Sequence, residues 1–145
     1  MVSKEILSQY SSLRQEIEEL RQKIEKNERQ IQRIEQDGRV CDKVKGGEGG
    51  IQSFKIEGFP HPQYEHQKTL LYSRKATLIS LETRLAEMLN EIETFIASID
   101  DSRMRRIINM RILDNLPWNK IADRIGGGNT EDSIKKAFYR FMDVK

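Results

Sequence analysis

The chain has 145 residues, of which 33% are charged and only 7% are aromatic. This composition favours one small domain with long solvated helices over a large globular core. Cys41 is the single cysteine, which excludes an intrachain disulfide and a thiolate metal cluster. No apolar run approaches the length of a membrane span, and no signal-peptide core follows Met1. We therefore expect a cytoplasmic protein with no membrane partner.

A heptad pattern dominates the first part of the chain. Ser3 can cap a helix that we expect to run to about Gln36. The positions of its apolar seam are Ile6, Tyr10, Leu13, Ile17, Leu20, Ile24, Asn27, Ile31 and Ile34. About four heptads of this kind predict a coiled-coil-like helix. The polar seam residue Asn27 is either a tolerated flaw or a device that fixes register.

A glycine-rich loop is predicted at residues 37–61, in which we expect no persistent helix. Within it, the stretch from Ile51 to Phe59 could pair as a strand or lie along the helices, and Pro60 and Pro62 end it. The run GGEGG lacks the Gly-Lys-Ser/Thr ending of a phosphate-binding loop. The loop is therefore not predicted to bind a nucleotide.

A second heptad pattern runs from about Gln63 to Ile99. Its seam comprises Leu71, Leu78, Leu81, Leu85, Met88, Ile92, Phe95 and Ile99. Two long helices with matching seams indicate an antiparallel hairpin within one chain, an intermolecular bundle, or both. We favour a hairpin that then forms a dimer.

The remaining charged residues indicate solvated helix surfaces. Acidic and basic side chains stand three or four residues apart, as Glu19 and Lys23 do, which stabilises exposed helix faces slightly. His61 and His66 are the only histidines, and no cysteine lies near them to complete a metal site. We therefore expect neither an enzyme nor a metal or other cofactor.

Three short helices are predicted between Asp101 and Met142. Helical spacing marks the first two through Met104, Ile107, Ile108 and Ile112, then Trp118, Ile121, Ala122 and Ile125. Asp114 and Asn115 separate them, Pro117 can begin the second, and Gly126 to Gly128 end it. Asn129 or Thr130 can cap the third helix, whose inward stripe is Ile134, Ala137, Phe138 and Phe141. This order is typical of a helix–turn–helix, whose second helix enters the DNA major groove.

Positive charge is concentrated on the same segment. Residues 101–145 hold 10 Lys and Arg against 6 Asp and Glu, whereas residues 1–100 hold 15 against 17. Such a distribution favours phosphate binding through counterion release. A helix N-terminus also favours a phosphate, and a carboxylate there can accept from cytosine N4. The predicted DNA-binding residues are Asn129, Thr130, Glu131, Lys135, Lys136, Tyr139 and Arg140.

The segment LPWNKIADRIG resembles the pattern that opens the helix–turn–helix in the promoter-reading domain of sigma factors. The longer run from IDDSRMRRIINMRI through GGGNTEDSIKKAFYRF, with FKIEGF before it, resembles prophage proteins of the RinA/ArpU type over about residues 38–142. These are small late-gene transcription activators with a helical N-terminal half and a sigma-like C-terminal domain. Pro117 replaces the usual Ser or Thr cap, and the Gly126–Thr130 turn is about two residues longer than the sigma pattern.

The predicted fold is therefore all-α, with a long coiled-coil-like helical hairpin at residues 1–100 and a small three-helix helix–turn–helix domain at residues 101–145. The resemblance implies a phage-type transcription regulator, most simply an activator, with promoter DNA and RNA polymerase as partners. Two other functions stay open. One is a small-terminase-like DNA-packaging adaptor, and the other is a coiled-coil protein-interaction module that does not bind DNA.

Overall fold

The protein is all-helical over the residues that the structure, a computed structural model, describes: residues 4–44 and 60–143. The helices are α1 (Lys4–Val44), α2 (His61–Ala97), α3 (Ser102–Ile108), α4 (Trp118–Ile125) and α5 (Glu131–Asp143). A π-helical turn, Asn109–Leu113, continues α3 directly. The predicted all-α class is confirmed, with two long helices followed by shorter ones.

Helix α1 extends further than the sequence analysis predicts. The expectation that no helix persists from residue 37 onward is wrong for residues 37–44, because α1 continues to Val44. A glycine inside a helix costs about 1 kcal/mol relative to alanine. Each residue added to an established helix gains a backbone hydrogen bond without a new nucleation step. Gly38 alone therefore does not end α1. The stretch from Ile51 to Phe59 lies outside the described residues.

The chain forms two compact units. The hairpin unit is Ile17–Leu81, and the C-terminal unit combines Met1–Glu16 with Glu82–Lys145. The division does not fall at residue 100, where the sequence suggested a domain boundary. The reason is that the first turns of α1 and the last turns of α2 share one apolar core with α3, α4 and α5.

In the hairpin unit, α1 and α2 run antiparallel. Glu35 accepts a hydrogen bond from the Tyr64 hydroxyl at 2.8 Å, whereas Glu28, earlier in α1, lies 3.4 Å from Lys75, later in α2. The α1 seam is buried here at Ile17, Ile24, Ile31 and Ile34. Its apolar side chains therefore pack within their own chain.

The polar seam residue Asn27 is buried and fully hydrogen-bonded. Its side chain is 2% exposed. Its Nδ2 donates to the backbone oxygen of Gln67 at 3.0 Å and to Oε1 of the same residue at 2.9 Å, and its Oδ1 accepts from Arg74 at 2.8 Å. Because a shifted pairing would leave this amide without partners in an apolar seam, these bonds favour one register of α1 against α2. Asn27 is therefore better described as a register device than as a flaw.

A continuous apolar core fills the C-terminal unit. The side chains of Ile107, Ile108, Ile121 and Ile134 are completely buried. The predicted inward stripes of the three short helices are confirmed, with Met110 and Met142 as further buried members. Three residues of these stripes are only partly buried against the core: Ile125, Ala137 and Phe141. The long helices add Leu7, Tyr10, Ile92 and Phe95 to this core, and Ile99 adds to it from the connection between α2 and α3.

The break between α3 and α4 is built from main-chain hydrogen bonds. After the π-helical turn, the Leu116 N–H donates to the Met110 carbonyl at 3.0 Å, and Asn115 takes a positive φ of 54°. Asparagine tolerates this left-handed conformation better than most residues. The Arg14 guanidinium donates to the carbonyls of Ile112 at 3.1 Å and Leu113 at 2.8 Å, which satisfies acceptors that a helix end leaves free.

Candidate nucleic-acid interface

Three successive glycines make the turn between α4 and α5. Gly126, Gly127 and Gly128 have φ values of 69°, 66° and 79°. Residues with a Cβ are strained in this region, whereas glycine is not. The Gly126 N–H closes α4 on the Ala122 carbonyl at 2.9 Å. The glycine run therefore both ends α4 and reverses the chain into α5.

Asn129 holds this turn against α3. Its Nδ2 donates to the Gly126 carbonyl at 2.6 Å, and its Oδ1 accepts from the Arg103 guanidinium at 2.8 Å. Both polar ends of the side chain thus have partners inside the protein. The structure gives this predicted DNA-binding residue a positioning role, because it fixes the turn from which α5 begins.

Thr130 is the cap of α5. Its Oγ1 accepts from the Ser133 N–H at 3.1 Å, and the Ser133 Oγ accepts from the Thr130 N–H at 3.0 Å. This reciprocal pair satisfies two donors that the start of a helix would otherwise leave free. Glu131 follows as an exposed residue in the first turn of α5, where the helix dipole favours a carboxylate.

The inward face of α5 packs on the start of α4. The rings of Trp118 and Phe138 meet edge to face with centroids 5.2 Å apart. Both side chains are buried, at 6% and 4% exposure, as the inward stripe predicts. Tyr139 packs beside them, 5.3 Å from Phe138 and 6.2 Å from Trp118, and remains 38% exposed. This aromatic cluster fixes how α5 is rotated against α4.

The outward face of α5 is basic. Lys135, Lys136 and Arg140 are all exposed. Lys136 forms an ion pair with Asp132 at 3.0 Å, one turn earlier on the same face. No carboxylate among the described residues forms an ion pair with Lys135 or Arg140. The structure therefore places the predicted cations together on one accessible side of a well-anchored helix.

Several arginines of the C-terminal unit donate to carbonyl groups instead of carboxylates. Arg105 donates to the Ile99 carbonyl at 2.6 Å, Arg106 to the Arg124 carbonyl at 3.3 Å, and Arg111 to the Leu116 carbonyl at 3.1 Å. A carbonyl group is neutral, so these contacts orient the guanidinium groups without cancelling their charge. These guanidinium groups consequently keep positive charge that an anionic partner could neutralise.

The first turn of α1 lies beside α5, which the sequence analysis missed. The Lys4 ammonium group is 2.6 Å from the Asp143 carboxylate and 5.5 Å from the centroid of the Tyr139 ring. The hydrogen bond to Asp143 raises the pKa of Lys4 above its usual range. The heptad pattern of α1 indicated that its first turns are apolar on one face. The pattern alone does not indicate which element packs on that face.

The comparisons with known proteins find no matching family model, no similar protein of curated function and no similar solved structure. Among the described residues, no helix has an apolar stretch of membrane-spanning length. In the same part of the chain, no three His, Cys, Asp or Glu side chains come together in a way that could hold a metal ion.

Proposed function

We propose that this protein is a phage-type transcription regulator, most simply an activator, that binds promoter DNA through α5. It acts without catalysis and without a cofactor, in the cytoplasm. The regulatory role and RNA polymerase as a partner follow from the resemblance to RinA/ArpU-type proteins. DNA binding follows from the residues of the C-terminal unit.

The observation that carries the proposal is the pair of unneutralised cations on α5. Lys135 and Arg140 are exposed and lack carboxylate partners among the described residues, on a helix whose opposite face is anchored by Phe138. The major groove is about 12 Å wide and admits one α-helix. Lysine and arginine on such a helix can contact phosphates, and arginine can also bind guanine O6 and N7 together.

Lys136 contributes to DNA binding, because DNA can displace the carboxylate that forms an ion pair with it. Its partner Asp132 and the lysine are both largely exposed, at 73% and 68% of their side-chain surface. Exposed pairs of this kind contribute about 0–1 kcal/mol. A phosphate can therefore displace Asp132 at little cost. Asn129 and Thr130 support DNA binding by positioning α5. Glu131 can accept a hydrogen bond from a cytosine amino group.

A dimer would let two α5 helices contact two half-sites. A single helix–turn–helix buries limited surface on DNA, and dimers of such proteins match palindromic sites. The α1 seam of the hairpin unit is already buried within its own chain, as at Ile24 and Ile31. Helix α2 instead exposes Tyr72 at 63% and Ile79 at 65%, seven residues apart and therefore on one side of the helix. We assign the dimer contact to this side.

Selection of bound fragments from random duplex DNA tests the proposal. We expect the full-length protein to enrich one sequence motif, and Arg140→Ala to relax the preference at one base pair of that motif. Failure to retain duplex DNA, or retention without any enriched sequence, would refute a promoter-reading role. Sedimentation of the same protein distinguishes a regulator from a DNA-packaging adaptor, because the adaptor forms a large ring.

A further inference from the structure

A pocket of about 250 Å³ lies inside the C-terminal unit, between the first turns of α1 and the later turns of α5. Its polar lining consists of Lys4, Ser8, Ser11, Arg111 and Tyr139. Phe138 belongs to its apolar lining. A cavity needs roughly 15 Å³ to hold one water molecule, so this pocket is large enough for a hydrated anionic group.

The polar side chains of this pocket all carry hydrogen-bond donors. Lysine and arginine donate only, and the hydroxyls of serine and tyrosine donate as well as accept. None of the described residues that line the pocket is a carboxylate. The chemistry of the lining therefore suits a group that accepts hydrogen bonds and carries negative charge.

The Arg111 guanidinium is oriented by contacts within the protein and can bind such a group. Its guanidinium lies 4.4 Å from the centroid of the Trp118 ring and donates to the Leu116 carbonyl at 3.1 Å. These two contacts fix the plane of a group that has five N–H donors, so others are left for a ligand. No ion pair forms between Arg111 and a carboxylate of the described residues. A phosphate is one of the anions whose geometry the guanidinium fork fits well.

Lys4 can also turn to a ligand in this pocket. Its ion pair with Asp143 is half-exposed, with 50% and 60% of the two side chains accessible. Solvent weakens such a pair, so a phosphate, whose negative charge is shared by two oxygens, can compete for the ammonium group. Asp143 is the carboxylate that must be displaced, and it lies at the end of α5.

The pocket adjoins the proposed DNA-binding face. Tyr139 lines it and stands four residues after Lys135, on the same side of α5. When a helix enters the major groove, the phosphates of the groove edges lie along its flanks, and neighbouring elements contact them.

We propose that this pocket binds one backbone phosphate of duplex DNA, at the edge of the groove that α5 enters. The first turns of α1 would thereby complete the DNA-binding surface through Lys4, Ser8 and Ser11, beside Arg111. This inference rests on the proposed function, because it names a further contact of the same interface.

Two carboxylates introduced into the pocket test the inference. Ser8 and Ser11 are exposed, so Ser8→Asp with Ser11→Asp leaves the apolar core unchanged. The matched control is Gln9→Asp with Ser12→Asp, two exposed positions of α1 that do not line the pocket. Binding of the full-length protein to a random-sequence duplex is measured over a series of salt concentrations, with helicity checked by circular dichroism.

We expect the pocket variant to bind more weakly than the control and to lose about one unit of the slope of log affinity against log salt. Conversely, Ser11→Lys should gain about one unit of slope over Ser12→Lys. Equal slopes in each matched pair would overturn the inference. Lys135→Ala with Arg140→Ala is titrated in parallel. If the matched pairs have equal slopes but this α5 variant has a smaller salt slope than the wild type, DNA binding through α5 stands and only the pocket is excluded. If the wild type shows no salt-dependent binding, the proposed function is excluded as well.

Discussion

At the scale of single residues, Phe138 has the clearest energetic role. Its ring is 4% exposed and meets Trp118 at 5.2 Å. Truncation of a buried aromatic side chain costs about 3–5 kcal/mol, a large share of the roughly 5–15 kcal/mol that stabilises a typical domain. We therefore expect Phe138→Ala to lower the midpoint of chemical denaturation of the full-length protein strongly. Exposed Arg140→Ala is the control, and equal midpoints for the two variants would mean that Phe138 is not a core residue.

Asn27 and Arg74 allow a second test at this scale. Because the Asn27 Oδ1 accepts from the Arg74 guanidinium at 2.8 Å, Asn27→Ala leaves a half-buried cation without this acceptor. We expect a loss of about 1–3 kcal/mol in the free energy of unfolding. Arg74→Ala should cost less in the Asn27→Ala background than in the wild type, with a coupling of at least about 0.5 kcal/mol. Additive losses in the four-variant cycle would contradict a stabilising contribution of the Asn27–Arg74 hydrogen bond to the pairing of α1 with α2.

The sequence predicted the buried side chains better than their partners. Helical spacing placed Ile107, Ile121 and Phe138 on inward faces because burial repeats with the helix period. Asn129 and Thr130 were predicted to cap the third helix or to bind DNA, because the N-terminus of a helix favours a phosphate. Their hydrogen bonds to Gly126 and Ser133 depend on the turn conformation, which spacing does not describe.

At the scale of secondary-structure elements, the glycine turn sets where α5 begins. A Cβ added at Gly128 would meet no atom within 4 Å, but its φ of 79° strains any residue that has a Cβ. We expect Gly128→Ala to destabilise the protein by about 1–2 kcal/mol, from the backbone alone. Gly128→Asn should cost less, because asparagine visits this conformation more readily. Thermal unfolding of both variants provides the measurement, and an alanine variant as stable as the wild type would exclude backbone strain at this turn.

The boundaries and type of some helical elements could not be predicted from the sequence. Asp114 and Asn115 correctly marked the end of a helix, but the apolar spacing did not distinguish the π-helical turn before them, in which Met110 and Ile112 are buried, from an α-helix. The end of α1 was misplaced because a single glycine is a weak helix breaker in a long helix. Heptad patterns likewise predicted two long helices without showing that the first turns of α1 share a core with α5.

At the scale of the whole molecule, self-association provides a test of how two α5 helices come together. We expect the wild type to sediment as a dimer at micromolar concentration. Tyr72→Glu with Ile79→Glu should yield a monomer of unchanged helicity, because both side chains are exposed on α2. Ile24→Asp should instead unfold the hairpin unit, since it places a charge in a buried seam. A monomeric wild type would exclude the dimer and leave a DNA-bound partner such as RNA polymerase to supply the second contact.

Salt-dependent DNA binding tests the central claim most directly. The wild type, Lys135→Ala with Arg140→Ala, and the matched control Lys26→Ala with Arg33→Ala are titrated with one duplex at several salt concentrations. The control removes the same charge from exposed positions of α1 in the hairpin unit. We expect the α5 variant to bind more weakly and to lose about two units of salt slope, while the control keeps the wild-type slope. Equal slopes for the α5 variant and the wild type would contradict DNA binding through α5.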